Sequence, residues 1–171
     1  MTSWGSSNYG DPCRECGYDG AITLAETLAL IADLPRRFGD LLNGQDATVR
    51  HPELTWSAAA YVSHVADDLR IFAKRFAGQA LGATGPVSAC DQDLLADAGN
   101  YSLVLVEDAL WSMEHAVRDR REAVGMATAK NVTQDHSERG PLSVLDAMRI
   151  NTHDAHHHLW DVQQTVASAK I

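Results

Sequence analysis

The chain has no uninterrupted apolar stretch approaching the ~20 residues of a membrane-spanning helix. Its first residues, Met1-Thr2-Ser3-Trp4-Gly5-Ser6-Ser7, carry neither the basic nor the apolar region of a secretory leader, so a cytoplasmic location is expected. Cysteine is scarce: Cys13, Cys16 and Cys90 are too few, and odd in number, for a disulfide framework, which leaves thiols or metal ligands. Basic residues are also short, with 14 Lys and Arg against 23 Asp and Glu, and the net charge of −9 repels phosphate backbones and anionic lipid. Neither nucleic acid nor a membrane is expected as a partner. Charged residues at 22% and hydrophobic residues at 45% exclude a disordered polyelectrolyte, and 171 residues suit one core.

Alternating β-type runs are few, and no internal repeat or low-complexity tract is present. What dominates is helical periodicity. Leu24, Leu28, Ile31, Leu34, Phe38 and Leu41 form one apolar stripe, in which Pro35 is expected to kink the helix or start a new turn. Tyr61, Val65, Leu69, Phe72 and Phe76 form a second stripe after the capping hydroxyls of Thr55 and Ser57. Leu103, Val106, Leu110, Met113 and Val117 give a third. Pro141 suits a first helical position, and Leu145, Met148, Thr152, Ala155, Leu159, Val162 and Val166 carry a fourth helix over about 141–167. Residues 82–99 read as a long loop with room for a short helical turn, and 128–140 as a polar loop. The predicted fold class is all-α: an antiparallel, up-down four-helix bundle over 21–171, preceded by an irregular arm over 1–20.

Of the eight histidines, His153, His156, His157 and His158 fall in one short segment. His153 and His157 are spaced i, i+4, which places both imidazoles on one helix face, near enough to share an ion. His64 holds a comparable place at the edge of the second stripe, and two ligands from one helix with a third from a facing helix is how bundles assemble metal centres. The expected metal ligands are therefore His64, His153 and His157. Such a pair can also be solvated or hydrogen-bonded in a core. His156 and His158 are placed outside the ligand set, and His51, His115 and His136 at the surface. The segment His153-Asp154-Ala155-His156-His157 invites comparison with the zinc-protease H-E-x-x-H motif, but Asp is shorter than Glu and no third ligand follows at protease spacing.

Trp56-Ser57-Ala58-Ala59-Ala60-Tyr61-Val62-Ser63-His64-Val65-Ala66-Asp67, then Asp91-Gln92-Asp93, then His153-Asp154-Ala155-His156-His157-His158-Leu159-Trp160-Asp161-Val162 resemble the DinB-like superfamily of metal-binding four-helix bundles. The similarity is closest to an actinobacterial branch with an N-terminal C-P-E-C-G-F-D, which stands here as Cys13-Arg14-Glu15-Cys16-Gly17-Tyr18-Asp19. Ala60 and Arg14 depart from the branch, which often has Glu and Pro there. The resemblance implies a divalent ion, zinc most often and nickel in some members, on the residues matching His64, His153 and His157. It also implies transferases and isomerases that use low-molecular-weight thiols such as mycothiol or bacillithiol.

Cys13-x-x-Cys16 has the local spacing of two zinc ligands, or is a reduced pair packing the arm onto the bundle. Asp91 and Asp93 can cap a turn, orient a ligating imidazole or act as acid and base, and Asp68, one turn after His64, is a further candidate. The expected function is a metal-dependent enzyme that activates a thiol cosubstrate for transfer to a small electrophile. The alternatives are hydrolysis by a metal-bound hydroxide, with Asp91, Asp93 or Asp154 as base, and a non-enzymatic bundle that holds a metal or ligand. Exposed bundle faces also allow a homodimer.

Overall fold

The computed structural model describes residues 9–169. Its helices are α1 (Leu24–Leu42), α2 (Ala58–Ala80), a short α3 (Gln92–Ala98), α4 (Val106–Ala129) and α5 (Val144–Ser168). Each long helix starts where the chain can satisfy its free N–H groups, or just after an extended residue. Thr23 accepts from the N–H of Glu26 while the Glu26 carboxylate accepts from the N–H of Thr23, and Ser143 and Asp146 repeat this capping box at α5. Ser57 caps α2 through the N–H of Ala60. Pro35 lies inside the single helix α1.

The apolar stripes meet in one core. Ile31, Leu34 and Phe38 of α1, Val62, Val65, Leu69 and Phe76 of α2, Met113 and Val124 of α4, and Met148, Leu159 and Val162 of α5 are all buried. The packing pairs are α2 with α4, α1 with α5, α2 with α5 and α1 with α4, so the order around the bundle is α1, α5, α2, α4. The consecutive helices α1 and α2 thus lie across the bundle from each other, and α5 sits between them. No described helix is long and apolar enough to cross a membrane.

Three local features differ from expectation. The segment 128–140 is not all loop: β1 (Thr133–His136) pairs antiparallel with β2 (Gly140–Ser143), with Asp135 opposite Pro141. Pro141 is therefore in a strand, and α5 begins at Val144, where the Ser143 side chain can cap it. Leu103 is not in the third long helix, because left-handed Asn100 (φ 49°) opens a separate 3-10 turn at Tyr101–Leu103 and α4 starts at Val106. Of the arm expected over 1–20, residues 9–20 are described; the first eight lie outside the described residues.

Candidate metal centres

Helix α5 carries two i, i+4 pairs one residue out of phase, His153 with His157 and Asp154 with His158. A step of about 100° separates consecutive side chains, so the pairs look toward different surroundings. Among the described residues, His64, Asp154 and His158 form one group whose donor atoms lie within 4.8 Å of one another. Cys13, Cys16, His153 and His157 form another within the same limit. The expected trio is divided: α2 presents His64 to the Asp154 and His158 pair, while the arm meets His153 and His157.

In the first group, Asp154 bridges the two imidazoles. Its Oδ2 lies 3.6 Å from His64 Nε2 and its Oδ1 3.6 Å from His158 Nε2, both too long for hydrogen bonds. The His64 and His158 rings are 4.8 Å apart and nearly perpendicular. His158 Nδ1–H donates to Asp161 at 2.8 Å, which orients the ring with Nε2 toward the group. Trp56 packs 4.9 Å from His64 and Tyr61 5.0 Å from His158. His64 Nε2 is buried and makes no hydrogen bond among the described residues. Burial pushes the His64 pKa down, but the Asp154 carboxylate, with Asp68 and Asp67 behind it, holds it above the ordinary histidine value. Burial works against the charged form of Asp154 as well, and His158 and His64 outweigh it and lower that pKa.

The group opens on a cavity of about 610 Å3, whose wall includes His64, Asp68, Arg75, Asp91, Asp93, Asn151 and Asp154. Of the expected acid and base residues, Asp68 is the one placed beside the group. Burial and the Asp154 carboxylate push its carboxyl up to about 6, against the pull of His64 and of the buried Arg120, and Asn151 Nδ2 donates to it. Asp91 is occupied as the N-cap of α3, accepting from the N–H of Leu94 at 3.0 Å, and Asp93 is an exposed residue of the first turn of that helix. His136, expected at the surface, lines the cavity because β1 carries it there. Ala60, where the resembling branch often has Glu, packs against Tyr101 and Ala96 and belongs to neither group.

In the second group, Cys13 Sγ lies 3.7 Å from His157 Nδ1, and His157 Nε2 lies 3.2 Å from Glu15 Oε2. Tyr18 stacks on His153 at 5.0 Å with an interplanar angle of 5°, and its hydroxyl donates to the carbonyl of Arg149 at 3.0 Å. Burial, with Cys13 adjoining, pushes the Cys16 thiol up to about 12. Burial also lowers the pKa values of His153 and His157.

Sequence reasoning did not group Asp154 and His158 with His64. The signal that could have found them is the spacing already applied to His153 and His157, since Asp154 and His158 are also i, i+4.

Fold and site together define a four-helix bundle in which side chains able to hold a metal are grouped on one helix and its neighbours. No protein-family model matches the chain, and no curated protein matches it. Among solved structures, the fold is similar to that of YfiT from Bacillus subtilis, described as a probable metal-dependent hydrolase with an unusual four-helix bundle topology. The TM-score is 0.75 over 88% of this chain and 91% of that chain, at 11% sequence identity, so the likeness is one of fold.

Proposed function

We propose that this chain is a metal-dependent enzyme of the DinB-like superfamily, acting on a small molecule in the cavity, with His64, Asp154 and His158 as its metal ligands. The observation that carries this reading is the convergence of two imidazoles and one carboxylate, largely buried, of which His64 and Asp154 line a 610 Å3 cavity. Two histidines and a carboxylate are a donor set of open catalytic zinc sites, and imidazole suits nickel as well. The residues fit an ion: His64 Nε2 is buried with no other described partner, and Asp161 fixes the ring of His158.

A divalent ion in this group would supply Lewis acidity and lower the pKa of a coordinated water or thiol. The chain's own residues do the rest. Trp56 and Tyr61 shield the two imidazoles from one side. Asp68, whose carboxyl burial and Asp154 raise to about 6 in the metal-free protein, is the residue we assign as general base. With such a base beside the group, hydrolysis is the leading reaction class, and likeness of fold to a protein described as a probable metal-dependent hydrolase agrees with it. Thiol transfer is the second reading, supported by the motif resemblance to mycothiol-dependent enzymes.

The test is turnover of a panel of small esters, amides and electrophiles by full-length protein loaded with zinc or nickel, with and without mycothiol. Turnover should disappear on chelation, return on adding metal back, and be absent from His64→Ala. Thiol-independent turnover supports hydrolysis, and thiol-dependent turnover supports transfer. Activity that survives complete metal removal overturns both.

A further inference from the structure

We propose that Cys13, Cys16, His153 and His157 hold a second, structural zinc ion that clamps the N-terminal arm onto α5. All four donor atoms lie within 4.8 Å of one another, a cluster that small side-chain adjustments bring to zinc distances of about 2.3 Å for sulfur and 2.0–2.1 Å for nitrogen. The donor set is chemically apt. Two thiolates and two neutral imidazoles make the closed tetrahedral set of structural zinc sites, and they neutralise the ion, which permits burial. Binding releases one proton from each thiol to solvent.

Three further observations point to a ligand. His153 Nε2 is buried and has no hydrogen-bond partner among the described residues. His157 has Nδ1 toward Cys13 and Nε2 toward Glu15, the arrangement in which a carboxylate fixes the tautomer of a metal-binding histidine. The arm is shaped to hold both sulfurs. Gly17 adopts φ +73°, its N–H donates to the carbonyl of Cys13 at 3.0 Å, and the N–H of Cys13 donates to the carbonyl of Tyr18 at 2.7 Å. The turn therefore closes around Cys13-x-x-Cys16, with glycine where a left-handed conformation is needed.

The site is separate from the catalytic group proposed above, so either can fail alone. Reduced, metal-free, full-length protein is titrated with Co2+, and the zinc form is measured by X-ray absorption. The expected result is sulfur-to-cobalt charge transfer that persists in His64→Ala and Cys90→Ser and disappears in the Cys13→Ser, Cys16→Ser double variant. Zinc in the His64→Ala protein should show two sulfurs near 2.3 Å and two nitrogens near 2.0–2.1 Å. Glu15→Gln keeps all four ligands and tests the site without removing any; it should weaken zinc binding by about 10–100-fold. Zinc coordinated only by nitrogen and oxygen overturns the proposal. So does a Cys13–Cys16 disulfide in protein isolated under reducing conditions, or unchanged zinc affinity in the double cysteine variant.

Discussion

His157 and His158 are consecutive residues, yet their ring planes stand 82° apart with centroids 6.5 Å apart, and each serves a different cluster. One turns to the arm and Cys13, the other to α2 and His64. Helix α5 thereby acts as a shared wall between a closed sulfur-containing group and a group that opens on a cavity.

Asp68 should set the acid limb of the pH profile. Its carboxyl is raised to about 6 by burial and by Asp154 in the metal-free protein, and a base must be ionised to act, so turnover of the metal-loaded protein should rise with pH along an acid limb that lies no higher than about 6. A bound cation favours the carboxylate and moves that limb lower, never higher. Asp68→Asn should keep the metal while losing about 10²–10⁴-fold in turnover, together with this limb. A variant with an unchanged pH profile would remove Asp68 from the role of base.

Asp161 accepts a hydrogen bond from His158 Nδ1 at 2.8 Å and would act on an ion in the His64 group by orienting that ring. Asp161→Asn should lower metal affinity at the His64 group by about 10–100-fold, measured by competition with a chelator. Sulfur-to-cobalt charge transfer should be unaffected. Equal affinity in the variant and the parent would mean that the carboxylate does not orient the ring.

Acid should destabilise the metal-free protein. The pKa values of His153, His156 and His157 are lowered, chiefly by burial, that of His156 to about 4. The unfolded chain then takes up protons near the ordinary value of 6.5 before the folded one does, so the stability these groups contribute is present above 6.5 and is lost as pH falls below it, for His156 toward about 4. His64, raised above 6.5, and Asp68, raised to about 6, run the other way but are two residues against three. The urea midpoint of chelated protein should drop between pH 7.5 and 5, and drop less in His156→Gln. A midpoint that rises over this range would contradict burial of these rings in neutral form.

The start of α5 can be tested by a pair of substitutions. Ser143 accepts from the N–H of Asp146 at 3.1 Å, so Ser143→Ala should cost about 1 kcal/mol by urea denaturation. Pro141 sits in β2, before the helix, so Pro141→Ala should change stability by less than about 0.5 kcal/mol. The opposite order would move the helix start back to Pro141.

The sequence by itself determined the helices, because apolar spacing and capping residues act through contacts a few positions apart. It also concentrated the chemistry on one segment, since any histidines spaced i, i+4 share a face whatever lies opposite. Spacing does not say what that face meets. Only the tertiary structure placed α5 between α1 and α2, and so brought His64 to Asp154 and His158. Only docking of the arm, 144 positions away from His157 in the chain, brought Cys13 to that ring. The raised pKa of Asp68 likewise depends on burial beside Asp154, a residue from another helix. Two equivalent pairs on one helix were legible locally, but which neighbour each received was decided by how the distant segments pack.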